Sequence, residues 1–345
     1  MGFAGSLRRF HPDPFVLSLA AVVLAATVSP CRGAIAGAVH VAGIGAIASL
    51  FFLQGARLSR DAVIGGIMHW RLHATIGTVT FVLFPLIGWC LVALCPHLLP
   101  GALWLGLLFL CALPSTVQSS IALTSIAQGN VAGAICSATA SNVVGIALTP
   151  LILAVLSRRH GAEIAVHNVA LVVLELLVPF AIGHLLRPWI GGWAGRNRKI
   201  LAFTDRGSIL LVVYASFSAA VVNGVWRELP PATLLLLGLV VAMLLVIVLA
   251  AIVVASRVQG FAVPDEIAAV LCGSQKSLVS GVPIASALFP ATTIGMILIP
   301  MMIYYPMQLV VCAALARRYA SQPASLFGWF APRGAGTAAP LPERT

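Results

Sequence analysis

The chain has 345 residues, of which 60% are hydrophobic and only 8% charged, with a formal net charge of +11. Soluble domains carry roughly a quarter charged residues, so a soluble globular fold is excluded. The positive balance invites a nucleic-acid reading, but the arginines sit in short gaps between apolar runs, which is a topology signal and not a nucleic-acid surface. Apolar runs of spanning length recur throughout, whereas a transmembrane barrel would show short alternating segments. The expectation is an all-α polytopic membrane protein, partnered by the lipid bilayer and by no nucleic acid. The seven cysteines mostly fall inside apolar runs and form no CxxC pair, so they are read as small core residues.

Arg8 and Arg9 ahead of residues 15–28 imitate a signal peptide, but Pro30-Cys31-Arg32 leaves no small-x-small cleavage site. An uncleaved first span over 14–29 is therefore expected. A second runs over 34–55, and a basic loop with Arg57, Arg60 and Arg71 leads to a third over 72–94. The fourth starts near 102, breaks at Pro114 and resumes to 127, where Gln128-Gly129-Asn130 turns the chain. The fifth ends at 156. A polar connector, 157–167, marks the midpoint. The sixth span covers 168–186, and a polar connection follows over 187–206. The remaining spans cover 208–225, 232–255, 263–289 and 292–316. Beyond 317 the chain is rich in Ala, Pro and Gly, the composition of a disordered tail.

This predicts ten transmembrane helices in two halves, 14–156 and 168–316, flanked by cytoplasmic segments 1–13 and 317–345. A polar break falls in the fourth helix of each half. An odd number of spans per half puts the halves in opposite orientations, as in the inverted repeats of secondary transporters. With both termini in the cytoplasm, the outer segments hold only Arg32, Arg158, Arg159 and Arg227, and every other arginine and Lys199 falls inside.

The breaks concentrate the chemistry. Ser115, Thr116, Gln118, Ser119, Ser120 and Thr124 interrupt one apolar run, and Gln275, Lys276 and Ser277 interrupt another. Polar backbone at membrane depth is tolerated only against protein or a wet cavity. Lys276 is one of two lysines in the chain. A mid-membrane lysine costs about 2.5–3.5 kcal/mol on translocon scales, so it is an anion contact, a built-in charge at an ion site, or a lysine bonded to broken-helix carbonyls. Ser137, Thr139, Ser141 and Asn142 lie on the following helix, where Ser137 and Ser141 share a face. Asn142 either lines a site or joins helices. Glu175 is either a proton-coupling group or half of an ion pair within the bundle. No metal site is expected: His69 and His73 have helical spacing, but Trp70 stands where a zinc-protease pattern needs glutamate. A membrane-embedded enzyme would need paired acids or a nucleophile elbow, and neither is present.

Residues 113–125 (LPSTVQSSIALTS), Gly129-Asn130, Thr149-Pro150, residues 205–214 (DRGSILLVVY) and residues 273–278 (GSQKSL) together resemble the bile acid:sodium symporter family, in its SBF-like bacterial branch. The similarity runs from about Asp13 to Arg317. The resemblance implies a ten-helix fold with a panel and a core domain, in which broken helices 4 and 9 cross. It also implies transport of organic anions by alternating access, often with sodium. Residues that ligate sodium in coupled members carry over poorly. Their Ser-Asn pair lands on Ser120-Ile121, two hydroxyl positions land on Ala134 and Ala138, a shared glutamate lands on Leu271, and only Gln275 matches. The expectation is a carrier or sensor of a small amphipathic organic anion in a bacterial inner membrane, without a cofactor and without tight sodium coupling. A proton-coupled carrier using Glu175 and a non-transporting regulator of ion homeostasis on the same fold are the alternatives.

Overall fold

The computed structural model describes residues 14–57, 69–157, 166–225 and 229–321. The expected segment 1–13, most of the 157–167 connector and the tail beyond 321 lie outside them, as do Arg60, Arg158, Arg159, Trp226 and Arg227. The described residues form helices joined by short turns, with no strand among them. The helices are α1 (Pro14–Val28), α2 (Gly33–Arg57), α3 (Trp70–Leu94), α4 (Gly101–Ala112), α5 (Gln118–Ile126), α6 (Val131–Ser157), α7 (Val166–Leu185), α8 (Arg187–Arg196), α9 (Arg198–Val222), α10 (Pro231–Val258), α11 (Val263–Gly273), α12 (Leu278–Leu288) and α13 (Ala291–Ser321).

Among the described residues, seven helical spans are long and apolar enough to cross a membrane: α2, α3, α6, α9, α10, the α11–α12 pair and α13. The bent pair α7–α8 makes an eighth if taken as one span, while α1 and α4 are shorter apolar helices. The protein is an integral membrane protein. Its α11–α12 span is almost wholly buried, whereas the other spans bury half their residues or fewer. Every residue of α4 from Gly106 to Ala112 is buried as well. The two interrupted stretches are therefore the innermost elements, and the continuous helices surround them.

Small residues let this centre close up. Gly145 of α6 faces the Pro114 ring, Gly281 of α12 faces Met301 and Leu113, and Gly106 of α4 abuts the backbone at Ile297 of α13. Such close approach is how membrane helices gain packing energy without a hydrophobic driving force. At the periphery, α2 and α7 pack with Gly55 against the backbone of Phe180 and Gly183 against the backbone of Phe52.

One expected loop is helical. Instead of a polar connection over 187–206, α8 bends away from α7 by 88° and α9 already starts at Arg198. Pro188 sits in the first turn of α8. There its missing N–H costs nothing, while it would break a continuing α7. Trp189 and Trp193, one turn apart on α8, are both exposed.

Candidate functional site

The first break, 113–117, begins at Leu113, which takes extended geometry (φ −68°, ψ 151°). The following proline clashes with any helical conformation there. The second break, 274–277, ends at Ser277, also non-helical (φ −83°, ψ 112°), whose hydroxyl accepts the Ser280 N–H and caps α12. Each break frees backbone groups, and buried groups of this kind need partners.

Five consecutive carbonyls at the first break, from Cys111 to Ser115, each have a donor. Lys276 Nζ donates to Cys111 O at 2.8 Å and Leu113 O at 2.7 Å. Thr149 Oγ1 donates to Ala112 O, Ser277 N to Pro114 O, and Asn142 Nδ2 to Ser115 O. The third bond of Lys276 Nζ goes to Thr80 O at 2.9 Å. That carbonyl is available because α3 contains a π-helical turn at Val79–Leu83. The Phe84 N–H bonds five residues back to Val79 O, and the next residue, Pro85, has no N–H to offer Thr80. The ammonium also lies 4.0 Å from the Phe84 ring centroid. Lys276 is 1% exposed. Of the three readings open for it, the geometry is that of a lysine bonded to broken-helix carbonyls, a cation set against the C-terminal end of α4. Its own backbone is clamped by Gln308, whose Oε1 accepts Lys276 N–H and whose Nε2 donates to Lys276 O.

The other predicted residues form a second network. Ser115 N–H donates to Ser141 Oγ, and Ser115 Oγ donates to Cys272 O of α11. Thr116 Oγ1 and Ser119 Oγ both donate to Gln275 Oε1, and Thr116 also lies within hydrogen-bond distance of Ser120. Asn142 joins the breaks directly, donating to Ser115 O and accepting from Ser280 Oγ. Five predicted residues fall outside this network. Ser137 pairs with His73, Thr124 is buried beside the Cys272 thiol, Gln118 and Thr139 line the cavity described next, and Glu175 is exposed on α7 beside Leu174 and Val178.

Beside the breaks lies a cavity of about 490 Å³. One wall is the end of the first break and the start of α5 (Thr116 to Ser119), the N-cap and first turn of α12 (Ser277, Val279) and Thr139, Asn142 and Val143 of α6. The first turn of α5 has no side-chain cap, so this wall carries the positive end of a helix. The opposite wall holds Gln54 and Arg57 of α2 and Asp205 and Arg206 of α9, with the apolar side chains of Phe15, Phe180, Ile209 and Tyr305. Arg57 pairs with Asp205, Nη1 to Oδ2 at 2.6 Å and Nη2 to Oδ1 at 3.3 Å, and Arg206 lies over the Phe15 ring. Sequence reasoning missed this charged wall because Arg57 and Asp205 lie 148 residues apart near predicted span ends, where they counted as loop charges. The signal available was that Asp205 is one of only nine acids.

Apolar spans around two innermost helices that unwind against each other, beside a half-polar cavity, define a secondary transporter. The chain belongs to the SBF-like CPA transporter family, whose model matches residues 13–321. The resemblance read from the break motifs is thus borne out. The chain is 51% identical over 320 residues to "Uncharacterized protein PA2026" of Pseudomonas aeruginosa, covering 91% of this chain and 95% of the relative. It is 49% identical over 310 residues to "Putative symporter YfeH" of Escherichia coli, covering 90% and 93%. More distantly, it is 26% identical over 322 residues to "Sodium/bile acid cotransporter 7-B" of Xenopus laevis, covering 90% and 92%.

Proposed function

We propose that this protein carries a small amphipathic organic anion across the bacterial inner membrane by alternating access, without tight sodium coupling. The observation that carries the reading is the central cavity. It sets the uncapped first turn of α5 and the start of α12 against Arg57 and Arg206, with aromatic side chains between. A carboxylate or sulfonate suits the charged parts and an apolar body suits the rings. The kinship with proteins named sodium/bile acid cotransporters supports the substrate class. In the proposed topology α1 and the broken α4–α5 complete a ten-span chain of two inverted five-helix halves, with both termini in the cytoplasm. The core halves rock against the wall formed by α1, α2, α7 and α9.

Two features support independence from sodium. Ala134, Ala138 and Leu271, the positions where sodium-coupled members of the family carry ligands, are apolar and fully buried. Leu271 packs in a cluster with Leu123, Ile267 and Cys312. The fixed ammonium of Lys276 also repels a second cation at short range. Glu175 is exposed on α7 and takes part in neither network, so its position lends no support to proton coupling through that residue.

The test is uptake of a radiolabelled bile acid and of shorter aliphatic carboxylates into proteoliposomes, with sodium or potassium outside. Uptake that is equal in both salts supports the reading. A requirement for a sodium gradient overturns the sodium independence, and no uptake of any anion favours the non-transporting regulator.

A further inference from the structure

A second cavity, about 780 Å³, adjoins the first and shares Arg57, Gln118 and Ala202 with it. It lies where α2 ends and α7 bends into α8. Among the described residues its charged or titratable lining is Arg57, His184 and Arg187, and no acid lines it. Two donor-capable atoms there are buried without a partner, Arg57 Nε and His184 Nδ1. The floor is open because Gly191, Gly192 and Gly195 line it. A Cβ on Gly191 would stand 3.0 Å from Arg187 Cγ, so glycine at that position leaves room for the arginine stem along α8.

The surroundings place this cavity at a membrane–water boundary. Trp189 and Trp193 are exposed on α8, and Leu185, Ile200 and Phe203 are exposed beside it. Tryptophans on a helix turned across the end of a span anchor at the headgroup level. Basic pockets between spans at that level suit anionic headgroups, because a guanidinium pairs with two phosphate oxygens at once.

We propose that this cavity is a binding site for a phosphate-class anion, either the headgroup of an anionic lipid or free phosphate, held by Arg187 and His184 with Arg57 behind them. The site does not depend on the transport reading, because nothing in it requires a transported substrate.

The experiment is thermal unfolding of the detergent-purified full chain in two arms. The first adds inorganic phosphate against chloride at matched ionic strength. The second adds mixed micelles of phosphatidylglycerol against phosphatidylcholine. A ligand of the folded state raises the melting temperature, here by about 3 °C or more near saturation. A rise with phosphatidylglycerol alone assigns the site to lipid, and a rise with phosphate assigns it to the soluble ion. In either case Arg187→Gln and His184→Gln should each remove at least half of the rise. Should Arg187→Gln fold poorly, Arg187→Lys keeps the charge, loses the bidentate geometry and should reduce the rise in part. The proposal is overturned if neither addition stabilises the wild type, or if the variants respond as the wild type does. A lower melting temperature in Arg187→Gln, with a ligand response equal to that of the wild type, would also overturn it, because the arginine would then serve only the stability of the fold.

Discussion

Replacing Lys276 with methionine keeps an unbranched apolar stem of nearly the same length and removes the ammonium. Three carbonyls, Thr80 O, Cys111 O and Leu113 O, then lose their shared donor in a fully buried place. Each hydrogen bond to a charged group is worth about 1.5–3 kcal/mol. The sum is not recovered in full, because the variant no longer desolvates an ammonium. Breaking a buried charged arrangement by removing one side costs about 3–5 kcal/mol. At roughly 2 °C per kcal/mol for a chain of this size, Lys276→Met should melt about 6–10 °C lower. The vacated carbonyl cage should also accept a small cation. In detergent, sodium or potassium chloride should therefore stabilise Lys276→Met relative to N-methyl-D-glucamine chloride at equal ionic strength, and should leave the wild type unchanged. A melting temperature within about 2 °C of wild type would refute the claim that the ammonium holds the first break together. A sodium-specific rise in the wild type would refute the reading of Lys276 as the resident charge.

Asn142 bonds both sides of the crossing, so Asn142→Leu should strand Ser115 O and take the acceptor from the Ser280 hydroxyl, cost about 2–4 kcal/mol by thermal unfolding and reduce uptake at least tenfold; stability and uptake both at wild-type levels would refute the bridge. Arg57 and Asp205 should show a coupling of about 1–2 kcal/mol in a double-mutant cycle of Arg57→Gln and Asp205→Asn, since their side chains are 30% and 10% exposed and only partly screened; strictly additive effects would mean the pair contributes nothing. In Gly183→Val the new side chain would collide with the backbone of Phe52, so α2 and α7 must separate; the expected loss is about 1–3 kcal/mol or more, read as a lower melting temperature.

Both breaks and the long apolar helices were legible in the sequence because each rests on a local cause. A run of apolar residues stays helical in a bilayer, where backbone groups have no other partner. A proline at 114 cannot continue the helix before it, and the serines around Ser277 offer a cap for the next one. The breaks therefore appear where sequence reasoning places them. The helix α8 was not legible in the same way. Its composition is mixed, and Pro188 reads equally as the end of a span or as the first turn of another helix.

What only the tertiary structure decided is which of the exposed backbone groups and buried polar side chains meet. Lys276 is conspicuous in sequence, but its partners lie 196, 165 and 163 residues away. One of them, Thr80 O, is free only because a π turn and Pro85 withhold the usual donors from it. Arg57 and Asp205 carry no periodic signal that joins them, and Gln308 is an unremarked amide until Lys276 lies against it. Hydropathy and proline act on neighbours along the chain, so sequence alone located the long apolar helices and both breaks, though not α8. Pairings across the bundle depend on how the helices pack, and only the fold could decide them.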